Sequence, residues 1–175
     1  HRYLHYPLRR QRQMCIRDRF NVAANGRLEQ LISLFRGADI PCRPVEDLPT
    51  AQWIKLIWNV AFNGLCITDG GIDTERLLAR QEGESRVRRV MGDVIAGADA
   101  LGMQIPSSLI DEQIASTRKM GAYRPSSLLD YLEGREVELQ AIWVEPLGRA
   151  ERAGARLPHW AQLLSELRMR LEERG

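Results

Sequence analysis

Metal-binding residues are scarce in this 175-residue chain. Cys15, Cys42 and Cys66 are scattered, as are His1, His5 and His159, with no CxxC pair and no Cys/His spacing that suits zinc. That argues against a zinc module or a disulfide framework, and for reduced thiols in a cytoplasmic protein, with Cys66 a small core residue. Long apolar runs are missing too. The longest, Trp53 to Ile67, is interrupted by Lys55, Asn59 and Asn63, and is too short and too polar to span a bilayer. No continuous apolar h-region marks a secretory signal. Nothing reads GxGxxG, and there is no repeat, heptad run or low-complexity linker. What is present is ordinary: 44% apolar and 27% charged residues, the composition of a soluble globular chain with one proper core.

The formal charge of +2 invites a nucleic-acid reading, but one segment supplies it. Residues 1–19 hold six of the 25 basic residues and one of the 23 acidic ones, so the remainder carries a net charge of −3. The run Arg9 to Arg19 (RRQRQMCIRDR) matches the conceptual translation of a common transposase adapter, and 1–19 is read as a non-native leader. The rival reading is a basic arm for RNA or anionic lipid. The run has no amphipathic repeat and no aromatic interleaving, so neither nucleic acid nor membrane is expected as a partner.

From Gly26 onward the pattern is helical. Leu28, Leu31, Ile32 and Phe35 recur at i, i+3, i+4, i+7, with an end expected near Gly37. Ile40 to Val45 has some β character, but Pro41 and Pro44 reduce it to an edge strand or linker. Thr50 is a fair N-cap for a helix over Ala51 to Leu65, apolar nearly all round and therefore central and buried. A long helix is expected over Glu84 to Leu101, and another from Ser107 or Ser108 to Met120. Leu128 to Leu132 reads as a helical turn ended by Gly134. Val137 to Ala153 reads as a helix that must bend near Pro146, and a last helix opens at Pro158. The class is all-α.

Lys55, Asn59 and Asn63 lie four residues apart, and each step of four drifts only about 40° around a helix, so the three share one face. The plain reading is a solvent face. Against it, the stripe is narrow and contains asparagine, a poor helix former that gains little on an exposed face. The sharper reading is a row of donors lining a cleft, with Lys55 as cation or proton donor. The serines at 126 and 127 and the glutamates at 136 and 138 have plain readings as well, as an N-cap and as first-turn acids.

The segment Trp53-x-Lys55-Leu56-x-x-Asn59-x-x-x-Asn63-x-Leu65 resembles the helix that opens the C-terminal domain of ketopantoate reductases. A second block, Ser126-Ser127-Leu128-Leu129-Asp130-Tyr131-Leu132-Glu133-Gly134-Arg135, then Glu136-Val137-Glu138-Leu139-Gln140-Ala141-Ile142, is similar to that family's serine pair, glycine-containing loop and glutamate. The resemblance covers Leu28 to the C-terminus. It implies a helical domain of the ketopantoate reductase / 6-phosphogluconate dehydrogenase C-terminal-like type over 49–175. Residues 20–48 would be an α/β remnant of a nucleotide-binding domain. It also implies a reductase that converts 2-dehydropantoate to pantoate with NADPH, the cofactor being bound mainly by the missing half. Lys55 would then be the general acid, Asn59 and Asn63 would orient the substrate, Ser126 or Ser127 would bind its carboxylate, and Glu138 would anchor a hydroxyl. The serine-to-glutamate spacing is one residue shorter than the family's, which leaves the choice of serine open. A homodimer is compatible with this reading. A related 2-oxo acid reductase and a non-enzymatic helical interaction module are the alternatives.

Overall fold

The computed structural model describes residues 27–40, 44, 45 and 47–174, with residues 27 and 28 described in backbone only. The leader expected over 1–19 lies outside the described residues, as do Pro41 to Arg43 within the expected extended stretch. Ile40, Pro44 and Val45 carry no strand, and among the described residues there is none. The chain divides into two compact units, 1–51 and 52–175.

In the first unit, helix α1 (Arg27–Gly37) follows the expected periodicity. It ends in a Schellman turn: Ile40 N–H reaches the Phe35 carbonyl at 2.9 Å and Asp39 N–H the Arg36 carbonyl at 3.0 Å. Asp39, with φ 55°, takes the left-handed position that the sequence would have given to Gly37. Aspartate tolerates that conformation better than most residues.

Helix α2 (Leu48–Trp58) begins earlier than expected. Asp47, not Thr50, caps it, its carboxylate accepting the Thr50 N–H and hydroxyl. The helix runs on through a π-helical turn, Asn59–Asn63, into α3 (Gly64–Thr68). From Val60 to Ile67 every side chain is buried, as the all-round apolar pattern requires, whereas Gln52 and Ile54 near the start are exposed. Gly70 (φ 101°) and Gly71 (φ 73°) then reverse the chain, with Ile72 N–H returning to the Cys66 carbonyl. Helix α4 (Thr74–Ala79) follows, capped by Asp73 through the Arg76 N–H. At six residues it is too short to leave a periodic trace in the sequence.

Helix α5 (Gly83–Ala100) lays Val87, Val90, Met91, Val94 and Ala98 against the core. Helix α6 (Ser108–Met120) matches the expected segment, whereas α7 (Ser126–Leu132) starts two residues before the expected Leu128 and takes the serine pair into its first turn. The helix expected from Val137 starts instead at Leu139 and opens as a second π turn, Gln140–Val144, before α8 (Glu145–Arg152). Pro146 supplies the reason: without an N–H it cannot bond the Ile142 carbonyl, and the helix widens where the ladder is broken. Helix α9 (Pro158–Glu172) is capped from a distance, Asp93 on α5 accepting the N–H groups of His159 at 2.7 Å and Trp160 at 2.9 Å. The central α3 packs against α7 and α9, and α5 packs against the first π turn, α8 and α9. Arg86 on α5 links Asp69, past the end of α3, to Glu166 on α9.

Candidate functional site

The first π turn is the centre of the polar stripe. Asn59 opens it and Asn63 closes it, and Lys55 lies one helical turn ahead on α2. A π turn inserted in an α-helix costs regularity and is frequent at functional sites. Lys55 and Asn59 are half-buried, and among the described residues neither side chain has a hydrogen bond or an ion pair. The turn also receives two other elements of the expected site. Helix α7, with the serine pair, packs on it, and so does the second π turn, whose helix begins directly after Glu138.

One bond ties the two sequence motifs together. The Asn63 side-chain carbonyl accepts the Ser127 backbone N–H at 2.9 Å, across 64 residues. Asn63 is 1% exposed and Ser127 2%. The carboxamide therefore satisfies a buried N–H in the first turn of α7 that no helical carbonyl reaches. Ser126, beside it, is exposed. Glu138 is also exposed, and its carbonyl accepts the Ile142 N–H at 3.1 Å as the new helix starts. Lys55 and Asn59 are thus the accessible members of the stripe, and Asn63 holds the serine helix against it.

Aromatic and polar side chains brace the same turn. Trp58 stacks on Phe62 with ring centroids 5.1 Å apart and meets Tyr123 edge-on at 6.0 Å. Its indole N–H donates to the Thr117 hydroxyl at 2.8 Å, and Gln113 donates to the Ile54 carbonyl at 3.2 Å. Both acceptor and donor on α6 flank Lys55 along α2, so this helix is clamped on either side of the lysine. The sequence reading did not foresee this clamp. Its one signal was a tryptophan on a buried helix, which needs a partner for its N–H.

Other groups take no part. Cys66 is a free, buried thiol whose pKa is driven upward by desolvation and further by the charges of Asp73 and Asp69, which makes it a core residue rather than a nucleophile. Among the described residues no cluster of His, Cys, Asp or Glu could hold a metal ion. Gly70 and Gly71 join two helices, not a strand to a helix, so they are no dinucleotide phosphate loop. No helix among them is long and apolar enough to cross a membrane.

The described residues form an all-helical domain in which the lysine–asparagine stripe and the serine helix are brought together. Residues 47–171 match the family model described as ketopantoate reductase PanE/ApbA C terminal, and the chain belongs to that family. It is 35% identical over 148 residues to the 2-dehydropantoate 2-reductase of Nostoc sp., an alignment that covers 85% of this chain and 46% of that protein. The crystal structure of the 2-dehydropantoate 2-reductase of Geobacter metallireducens superposes with a TM-score of 0.82 at 38% identity, over 87% of this chain and 51% of the other. The corresponding enzyme of Methylococcus capsulatus gives 0.80 at 31% identity, over 87% of this chain and 53% of the other. D-mandelate dehydrogenase shares the fold alone, with a TM-score of 0.79 at 14% identity. The chain spans less than half the length of the curated relatives it matches.

Proposed function

We propose that this chain is the substrate-binding half of an NADPH-dependent 2-dehydropantoate 2-reductase, a cytoplasmic enzyme of pantothenate synthesis. The observation that carries the reading is the Asn63–Ser127 bond, which joins the stripe to the serine helix at a π turn. Hydride delivery, and the cofactor with it, is assigned to a nucleotide-binding half outside the described residues. This chain supplies substrate binding and a proton.

Lys55 is the general acid: its ammonium meets the substrate's keto oxygen, stabilises the negative charge that develops there and transfers a proton to it. Its half-buried position and its lack of a partner among the described residues favour that role, since an ammonium already paired would be a weaker donor. Asn59 orients the substrate beside it. Asn63, buried and with its carbonyl engaged by Ser127, holds the serine helix against the stripe rather than reaching the substrate itself. Of the serine pair, Ser126 is exposed and receives the carboxylate, Ser127 being buried and tied to Asn63, and Glu138, exposed at the head of its helix, anchors a hydroxyl. The likeness to D-mandelate dehydrogenase lies in the fold and leaves open a related 2-oxo acid as substrate, so the assay needs a panel.

The test is NADPH oxidation by the full-length protein carrying this domain, with 2-dehydropantoate and other branched 2-oxo acids. Lys55→Ala should lower kcat by about 10²- to 10⁴-fold, the usual contribution of a positioned proton donor. This chain alone should not turn over. Undiminished kcat in Lys55→Ala, or reductase activity from the chain alone, would sink the assignment.

A further inference from the structure

We infer that Trp143 is a positioning residue of this site, acting through the Val60 carbonyl on the π turn that carries the asparagines; the inference rests on the function proposed above. Trp143 is fully buried, and its indole N–H donates to the Val60 carbonyl at 3.1 Å, across 83 residues. Each partner lies inside a π turn, Trp143 in Gln140–Val144 and Val60 in Asn59–Asn63. A π turn breaks the ordinary helical ladder, and a side chain from another element can insert where it is broken. The Gly64 N–H already points at the Val60 oxygen, so the indole takes the remaining lone pair.

Gly64 permits the approach. A Cβ there would lie 3.0 Å from the indole nitrogen and 2.8 Å from Leu163 Cδ2, so Leu163 would have to shift and the indole to give by a few tenths of an ångström. The fully buried Trp160 makes the contrast plain: its indole nitrogen has no partner among the described residues. Burial alone therefore does not explain the placement of Trp143.

The consequence is rotational. Lys55 and Asn59 stand at or before the start of the π turn and Asn63 at its end. If the turn tightened to an α-helix, the two sides would shift by one residue, about 100° and 1.5 Å against each other. Lys55 and Asn59 would change their angle and height relative to Asn63 and the Ser127 it holds. The indole, bonded in the middle of the turn, opposes that tightening. The same bond fixes Glu138, five residues before Trp143, relative to the stripe.

The test compares Trp143→Phe with Trp160→Phe, two substitutions of equal size of which only the first removes a hydrogen bond. In the full-length reductase Trp143→Phe should lower kcat about 10- to 100-fold, the scale of a misplacement near 1 Å, with the KM for NADPH unchanged. Trp160→Phe should keep kcat within about twofold. In this chain, amide exchange at Gly64 and Ser127 should quicken in Trp143→Phe by more than any change in global unfolding, and not in Trp160→Phe. Unchanged kcat in Trp143→Phe, or exchange that follows global stability alone, overturns the inference. Should Trp143→Phe fail to fold, the indole proton of Trp143 in the unsubstituted chain decides: slow exchange supports the bond and solvent-like exchange overturns it. If the unsubstituted full-length protein does not reduce 2-dehydropantoate, the proposed function fails, while the exchange measurements still decide whether Trp143 holds the turn.

Discussion

Asn59 and Asn63 stand in one stripe, yet replacing them with alanine should have different effects on stability. In Asn63→Ala the Ser127 N–H loses its acceptor in a place where water does not reach, since the two residues are 1% and 2% exposed. A buried donor left unsatisfied costs about 1–3 kcal/mol. Alanine returns about 0.5 kcal/mol through its better helix propensity, which is too little to reverse the sign. The net expectation is a loss of about 0.5–2.5 kcal/mol, set against a stability of roughly 5–15 kcal/mol and so not enough to unfold the domain. For Asn59→Ala no bond among the described residues is lost and the propensity gain stands, so the change should stay within about 0.5 kcal/mol.

Urea unfolding of the two variants, followed by circular dichroism, measures this difference directly. With an unchanged m-value, Asn63→Ala should move the midpoint down and Asn59→Ala should leave it in place. Amide exchange adds a local check: Ser127 should lose protection in the first variant only. The reasoning fails if the two variants unfold together, or if Asn59→Ala is the less stable. Either result would mean that the Asn63–Ser127 bond does not carry the join between the motifs.

Gly83 and Gly92, both in α5, should answer the same substitution with opposite signs. A Cβ at Gly92 meets nothing within 4 Å, so Gly92→Ala should stabilise by about 0.5–1 kcal/mol, whereas a Cβ at Gly83 would collide with the Leu77 backbone carbonyl and should cost more than about 3 kcal/mol. Thermal unfolding checks both, and shifts in the same direction would contradict the packing of α4 on α5. Glu84 is held below its ordinary carboxyl range, first by the hydrogen bond from Arg88 and then by that from Arg118, with desolvation opposing. A depressed folded pKa gives stability that is complete above the unfolded value and lost as pH falls through the folded one. Glu84→Gln should therefore be less stable than the parent at neutral pH by about 0.5–1 kcal/mol, and the gap should close as the pH is lowered through and below the usual carboxylate range. A gap independent of pH would mean that the ion pairs contribute nothing.

The helices were legible because most of them carry one apolar face, and a pattern with a phase reveals its period. Val87, Val90, Met91, Val94 and Ala98 locate α5 almost to the residue. The candidate site was read from polar residues on an otherwise apolar helix and from two motifs, of which the fold joins Asn63 and Ser127 by a single bond. What the sequence could not show is nonlocal. Asp93 caps a helix 66 residues away, and Trp143 meets a carbonyl 83 residues away; neither has a local pattern to announce it. Pro146 did announce a disruption, but not its form, because a missing N–H can be met by a bend or by a wider turn.

The first π turn escaped notice for a more particular reason. Val60, Ala61 and Phe62 between the two asparagines are all fully buried, so this stretch is apolar on every side. A helix without an apolar face has no phase, and an extra residue inserted into it leaves the hydrophobic pattern unchanged. The same all-round burial excludes water from the turn, so its displaced carbonyl has to be satisfied by protein. The Gly64 N–H meets the Val60 oxygen from within the helix, and the buried Trp143 indole, set against a glycine, adds a second donor from elsewhere in the fold. Reading such a helix from sequence begins with the tryptophan that lacks a local partner and asks which carbonyl it could reach.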